Sequence, residues 1–144
     1  MSTVLPVEQP FWFSITMRAD VRLAPVLRDL SERIARQVGC AHGDADCVGS
    51  TLVEAVAYAI EHSRAAGRAA DIEAVFRVSF SAFEVTLLLK GHDDRAASAL
   101  AALDPAEIWP ADVLKRITDR FEISRDPKGS RCRVTRPIAA PNSR

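Results

Sequence analysis

The sequence has little of several features that mark special classes of protein. Its 144 residues include three cysteines, six glycines and one tyrosine, and 19 acidic residues balance 19 basic ones. Three cysteines indicate reduced thiols in the cytoplasm rather than a disulfide framework. The balanced charge argues against nucleic acid or an anionic membrane as the main partner. No apolar run approaches the roughly 20 residues of a membrane span, and residues 1–10 lack the regions of a signal peptide.

What the chain does have is the composition of one globular domain. Hydrophobic residues make up 48% of it and charged residues 26%, which is ordinary for a folded protein. A domain of this length buries about 70% of its unfolded surface, enough to fold without a metal or a disulfide. We therefore expect one domain over residues 11–138, with a flexible arm at residues 1–10 and a flexible tail at residues 139–144.

The first half of the chain predicts one strand and two helices. Residues 11–17 are aromatic and β-branched, as is typical of a strand. Apolar residues at spacings of three and four predict a helix over residues 21–38, capped by Asp20. A second apolar stripe predicts a helix from Asp44 to about Ala66.

The second half predicts mostly strands, which alternate apolar and polar residues. The expected elements are hairpin strands at 76–80 and 83–89, a short helix at 93–103, a helix at 111–120, and two closing strands, FEISRD and SRCRVTRPI. Hairpins on both sides of an irregular middle favour a mixed, mostly antiparallel sheet. With the amphipathic helices covering one of its faces, the predicted fold is an α/β two-layer sandwich.

One predicted helix carries the polar residues of greatest interest. In TLVEAVAYAIEHS, residues 51–63, the side chains of Glu54, Tyr58 and His62 are spaced by four and share one helix face. Spacing alone favours a solvated polar edge on a partly buried helix.

The stretch EAVAYAIEH, residues 54–62, resembles the helix E-A-(V/L)-A-N-A-I-E-H of bacterial anti-sigma factor serine kinases. VLRDLSERIARQVG upstream is also similar to that family, as is DVLKRITDRFEISRDPKGSRCRVTRPI downstream, with its Gly129–Ser130 pair. The resemblance covers residues 11–138 and implies the histidine-kinase-like (GHKL) ATPase fold. The partners it implies are a sigma factor, a STAS-type anti-anti-sigma protein or a response-regulator domain, and it also implies a possible homodimer.

Three nucleotide-binding motifs of that family are altered here. Tyr58 replaces the family's magnesium-binding Asn, and a neutral phenol is a poor ligand for a hard cation. In LLLKGHDD, Lys90 or a neighbour replaces the Asp that reads adenine; lysine cannot accept a hydrogen bond, although Asp93 or Asp94 is an alternative. The family's Gly-rich lid is replaced by LDPAEIWPADVL, which has no glycine to help its backbone cradle a phosphate.

The resemblance therefore implies a regulatory protein-binding module whose nucleotide binding is weakened or lost, with neither ATP nor magnesium as a cofactor. The vestigial pocket would consist of Tyr58, His62, Gly91, Asp93, Gly129 and Ser130. The alternative is an active serine/threonine protein kinase that uses Mg-ATP, with Glu54 at the family's general-base position. A further alternative is phosphotransfer through His62 or His92.

Two more hypotheses concern metal and partner binding. Cys40, His42 and Cys47, completed by Asp44 or Asp46, could hold zinc, but their spacing is not typical of a zinc site, so we expect no metal. We expect a partner to contact the first helix or the altered lid region, residues 91–112. In these two regions the side chains expected at the interface are Arg28, Arg33 and an accessible Trp109.

Overall fold

Five strands and two long helices make up most of the structure, a computed structural model that describes residues 9–63, 70–91, 93–116, 118, 120–126 and 129–139. The elements are β1 (Phe11–Arg18), a 3₁₀ turn (Val21–Leu23), α1 (Ala24–Val38), α2 (His42–Ser63), β2 (Ala70–Val78), β3 (Ala82–Gly91), α3 (Asp94–Ala101), α4 (Pro105–Ile108), α5 (Ala111–Leu114), β4 (Phe121–Asp126) and β5 (Gly129–Pro137). The expected order of strands and helices is confirmed, with α4 as an addition. Residues 1–8 of the expected arm (1–10), residues 140–144 of the expected tail (139–144), His92 and the end of the second helix near Ala66 lie outside the described residues.

The five strands form one sheet in the order β1-β2-β3-β5-β4. Each of the four strand pairs is antiparallel, so the expectation of a mixed sheet is wrong for the described strands. A tight turn joins β2 to β3, residues 127–128 separate β4 from β5, and the two-helix connection returns the chain beside β1 in the opposite direction. The coarse prediction of an α/β fold, with helices packed on an antiparallel sheet, is confirmed.

Alternation along the strands gives the sheet two different faces. The covered face packs with α1 and α2 in the core, and its central residues are Ile72, Ala74, Phe76, Phe83, Val85, Leu87 and Leu89. The open face carries the intervening residues, which include Glu73, Arg77, Glu84, Lys90, Arg131 and Arg133. This alternation follows from the two-residue period of a strand.

The first helix forms for the reasons that the sequence predicts. Asp20 caps the 3₁₀ turn that precedes α1, because its carboxylate accepts a hydrogen bond from the Arg22 N–H at 2.9 Å. Gly39 ends α1 with a φ of 103°, a left-handed conformation that glycine adopts without a steric penalty. A Cβ at Gly49 in α2 would clash with the side chain of Glu32, so glycine permits the close approach of α1 and α2.

Three boundaries differ from the prediction. The second helix begins at His42 rather than Asp44, and the Asp44 carboxylate instead accepts a hydrogen bond from Arg136 Nε at 2.8 Å, which ties α2 to β5. Strand β2 begins at Ala70, because pairing with β1 extends it, and Phe80 lies in the β2–β3 turn. Among the described residues of the expected helix over 111–120, those at Ala111–Leu114 are helical. No helix within the described ranges is both long and apolar enough to cross a membrane.

Candidate functional site

The polar face of α2 contains three of the predicted site residues. Glu54 is exposed, whereas Tyr58 and His62 are half-buried, and the Tyr58 ring packs against the core. His62 Nδ1 lies 3.0 Å from the backbone oxygen of Tyr58, one helical turn earlier. This hydrogen bond holds the imidazole along the helix. Among the described residues, no group forms a hydrogen bond or an ion pair with the Glu54 carboxylate, so it faces solvent.

Sheet register brings the other predicted residues to one end of the sheet. Lys90 pairs with Gly129 and Leu89 pairs with Ser130, while Gly91 pairs with Ala70 at the start of β2. Residues 64–69, which lie outside the described part of the chain, separate the end of α2 at Ser63 from Ala70. Gly91, Gly129 and Ser130 therefore lie at one end of the sheet, whereas Tyr58 and His62 lie on α2.

Both glycines at this end permit close backbone packing. A Cβ at Gly129, whose φ is 157°, would clash with the carbonyl oxygen of Leu89 in β3. A Cβ at Gly91 would clash with the backbone nitrogen of Ala97 in α3. Close contacts within the chain therefore account for the absence of a side chain at both positions.

The acidic and basic residues at the end of β3 have structural partners. The Asp93 carboxylate accepts a hydrogen bond from the Ala96 N–H at 2.8 Å and caps α3. Lys90 Nζ lies 3.2 Å from a carboxylate oxygen of Glu73, on the open face. The cap fixes the position of the Asp93 carboxylate at the start of α3 through one of its two oxygens.

The segment at the position of the family's lid is anchored to α2. The Trp109 side chain is 0% exposed, and its indole Nε1 donates a hydrogen bond of 2.9 Å to the carbonyl oxygen of Ala55, the residue next to Glu54. The expectation that Trp109 is an accessible interface anchor is therefore wrong. Asp104 caps the preceding helix α4 through the Ala106 N–H at 3.0 Å, and Ile108 is also fully buried.

The burial of Trp109 could not be predicted from the sequence, because an isolated tryptophan between two prolines has no periodicity. The start of α4 does have a readable signal. Asp104 followed by Pro105 is the usual pair of an N-cap and a first helical proline, and it competes with the interpretation of Pro105 as a helix breaker.

The cysteines do not form a metal centre in the described part of the chain. No group of three His, Cys, Asp or Glu side chains there has the geometry to hold a metal ion. Burial raises the pKa of the Cys40 thiol to about 11, with a further contribution from the Asp44 carboxylate that Arg136 opposes. Because metal binding requires a thiolate, this environment disfavours ligation at Cys40.

Two cavities lined by described residues lie on or beside the open face of the sheet. One has a volume of about 530 Å³ and lies over β2, β3 and β5, among Glu73, Arg77, Glu84, Thr86, Arg131 and Arg133. The other, of about 290 Å³, lies beside Phe11, Trp12 and Val78 at the start of β1. Neither is lined by the predicted residues of the nucleotide pocket.

Comparison with known proteins gives no assignment: no protein-family model and no curated protein sequence matches this chain.

Proposed function

We propose that this protein is a regulatory protein-binding module that resembles an anti-sigma factor and whose nucleotide binding is weakened or lost. The resemblance in residues 54–62 indicates its partners, namely a sigma factor, a STAS-type anti-anti-sigma protein or a response-regulator domain. Both parts of the proposal can be tested separately.

The position of Trp109 is the observation that carries the proposal. A nucleotide-binding lid has to move, and its backbone N–H groups have to face the phosphates. Here the corresponding segment buries Ile108 and Trp109 and is hydrogen-bonded to Ala55 in α2. Opening it would expose a tryptophan and break that hydrogen bond, which we expect to cost several kcal/mol.

The other altered motifs support the same conclusion. Asp93 caps α3, Lys90 pairs with Glu73, and the larger Tyr58 ring stands where the family has a magnesium-binding amide. No single one of these differences excludes ATP, but together they remove the metal ligand, the adenine acceptor and the flexible lid.

Binding of Mg-ATP can be measured by thermal unfolding. A site with micromolar affinity would gain about 4 kcal/mol at millimolar ATP, and we expect no such shift. A matched variant, Tyr58→Asn, restores the family residue on α2 and should also show no shift, because the anchored lid and the Asp93 cap remain. A rise of several degrees in the wild-type melting temperature would contradict the proposal.

Because Trp109 is buried, the expected partner surface that remains among the described residues is the exposed side of α1. Arg33 is exposed there, whereas Arg28 forms an ion pair of 2.8 Å with Glu32 in the same helix. We therefore expect Arg33→Glu to weaken the capture of a partner, because Arg33 is not engaged by Glu32. Capture assays with purified sigma factors and STAS-type proteins test this, with Lys115→Glu as the control, since Lys115 is exposed and lies outside both expected partner regions; equal capture by both variants would contradict a site on α1.

The kinase alternative is favoured by one observation, the solvent-facing carboxylate of Glu54. An active kinase would transfer the γ-phosphate of ATP to a serine of a STAS-type partner. Glu54→Gln should then abolish the transfer, while Glu61→Gln, at another exposed position of α2, should leave it intact. Phosphate transfer with this dependence on Glu54 would establish the enzyme and overturn the proposal above.

A further inference from the structure

The centre of the open face is a groove rather than a flat surface. Thr86 and Leu88 lie on this face of β3, yet they are only 8% and 7% exposed. Longer side chains around them form the walls of the cavity of about 530 Å³: Glu73, Arg77, Glu84, Arg131 and Arg133. Pockets for small molecules have volumes of about 300 to 1,000 Å³. The concave shape and the volume therefore suit a small molecule.

The smaller cavity continues this groove toward the aromatic start of β1. Arg77 and Glu84 line both cavities, so the two cavities are neighbours across β2 and β3. The other walls of the smaller cavity are mostly apolar, and they include Pro10, Phe11, Trp12, Val78 and Ala82. Phe11 and Trp12 are 47% and 64% exposed, and clustered exposed apolar side chains commonly mark a binding site. The groove therefore has a polar end at β5 and an aromatic end at β1.

The strand register sets the distance between these two ends. Trp12, Arg77 and Glu84 form one row across β1, β2 and β3. Arg133 lies opposite Thr86 in the next row along the open face. Trp12 on β1 and Arg133 on β5 are three strands apart, so their backbones are separated by roughly 15 Å. A ligand that contacts both ends has to be elongated.

The charges at the polar end favour an anion. Among the described residues that line the larger cavity, three are arginines and two are glutamates, so their formal charges sum to one positive charge. Glu84 is shared, because its two oxygens lie 3.8 Å from Arg77 and 3.8 Å from Arg133, distances longer than a hydrogen bond. One carboxylate would balance the remaining charge, whereas a phosphate monoester, with a charge of about −1.5 to −2, would exceed it.

Arg131 and Arg133 are placed to hold that carboxylate. They project from β5 onto the same face, two residues apart. Arg131 Nε donates a hydrogen bond of 3.1 Å to Ser124 Oγ, and the Arg133 guanidinium forms an ion pair with Glu122, so contacts with β4 orient both side chains. A guanidinium has five N–H donors in a planar fork that matches a carboxylate. Each arginine can therefore bind a ligand carboxylate in addition to its contact with β4.

We propose that this groove binds an elongated monocarboxylate, such as a medium-chain fatty acid, with its carboxylate at Arg131 and Arg133 and its hydrocarbon chain directed toward Trp12. This inference does not depend on the proposed function. The chain would lie over Val75 and the methyl group of Thr86, and its end would pack against the indole ring. Each methylene group that leaves water strengthens such binding.

Trp12 is a natural reporter for the hydrocarbon end of the ligand. The sequence has two tryptophans, and Trp109 is fully buried whereas Trp12 is exposed. We expect octanoate, below its micelle-forming concentration, to cause a saturable blue shift of the tryptophan emission, because the chain removes water from the Trp12 ring. Trp12→Phe should abolish the shift. A shift that persists in this variant would contradict the position of the chain.

Matched ligands test the chemical class by isothermal titration calorimetry. The compound 1-octanol lacks the charge of octanoate, octylammonium reverses it, and butanoate shortens the chain. We expect each to bind more weakly than octanoate by about ten-fold or more, since each loses the charged hydrogen bonds or part of the apolar contact. Octyl phosphate that binds more tightly than octanoate would overturn the choice of a monocarboxylate. No binding of octanoate would overturn the proposal, whether the face stays open or another protein covers it.

Substitutions at the two ends separate the groove from general apolar binding. Arg131→Gln and Arg133→Gln should each weaken octanoate binding by about ten-fold and leave 1-octanol binding unchanged, whereas Arg95→Gln, at an exposed position of α3, should change neither. Trp12→Ala should weaken both ligands. Phe80→Ala is its control, since that exposed ring lies in the β2–β3 turn. Circular dichroism checks that the variants are folded. Octanoate affinity that neither arginine substitution changes would overturn the proposal.

Discussion

The two faces of the sheet are built from the same strands but have opposite chemistry. On the covered face the rings of Phe13 and Phe76 stack with centroids 4.9 Å apart, and Phe83 follows at 6.4 Å from Phe76. On the open face Glu84 lies 3.8 Å from both Arg77 and Arg133. Truncating a buried aromatic side chain costs about 3 to 5 kcal/mol, whereas an exposed ion pair contributes about 1 kcal/mol or less. We therefore expect substitutions on the covered face to change the free energy of unfolding strongly and substitutions on the open face to change it little.

The largest effect is expected at Trp109, which is part of the covered core. Trp109→Ala should lower the free energy of unfolding by about 4 to 5 kcal/mol, because it leaves a cavity and removes the hydrogen bond to Ala55. Urea denaturation at one fixed protein concentration measures this. Phe80→Ala is the control, since that ring is 60% exposed, and it should change stability by about 0.5 kcal/mol at most. Equal effects would mean that the lid segment is not anchored.

The next largest loss of stability is expected at Phe76 in β2, and its neighbour Val75 provides the comparison. Phe76→Ala should cost about 3 to 4 kcal/mol, since its ring is fully buried between Phe13 and Phe83. Val75 points to the open face and is only half-buried, so Val75→Ala should cost about 1 kcal/mol or less. A larger loss from Val75→Ala than from Phe76→Ala would reverse the assignment of the two faces.

Alkaline pH should lower the free energy of unfolding, because the covered face buries cysteine thiols that ionise more readily in the unfolded state. Burial raises the pKa of Cys132 in β5 to about 12, so this thiol stays protonated in the folded state after it has ionised in the unfolded state. Stability should therefore fall as pH rises from about 9 to about 12, by about 1.4 kcal/mol per pH unit for such a thiol. Cys132→Ala should give a shallower decline in unfolding experiments across that range. An unchanged slope would show that Cys132 makes no contribution.

The smallest effect is expected on the open face. Arg133→Gln removes ion pairs with Glu84 and Glu122, yet the arginine side chain is 39% exposed. We expect a loss of about 1 kcal/mol or less, which should shrink further in high salt. Arg95→Gln on α3 is the matched exposed control. A loss of several kcal/mol would mean that the open-face ion pairs are buried in solution, as they would be beneath a partner.

The elements with strong periodicity could be predicted from the sequence. The stripe that includes Leu27 and Val38 gave α1, and both residues are buried in the core. The alternation of apolar Ala70, Ile72 and Ala74 with polar residues is also periodic, but Asp71 and Glu73 make this segment too hydrophilic to be recognised as a strand. Pairing with β1 stabilises it as a strand, because Asp71 and Glu73 have little strand propensity of their own.

The candidate site was less predictable than the fold. Spacing correctly placed Glu54 on an exposed helix face, but it could not show that Trp109 is buried against α2, because that burial depends on a tertiary contact with Ala55, which is remote in sequence. The Asp93 cap is instead a local contact with Ala96, three residues away, and an aspartate directly before a helix is a readable N-cap signal. A polar residue near a motif can bind a ligand or cap a helix equally well, and only the position of its neighbours separates the two roles.

The position of β1 also has a consequence for the order of folding. Its partner β2 lies beyond both long helices, whereas β2 and β3 are joined by the short turn between Val78 and Ala82. Closing a long loop costs more conformational entropy than closing a turn, and distant contacts form late. The β2–β3 hairpin should therefore assemble first, and β1 should dock once α1 and α2 have formed. Strand β1 would then be the last to join the sheet, and its amides should be among the first to exchange with solvent.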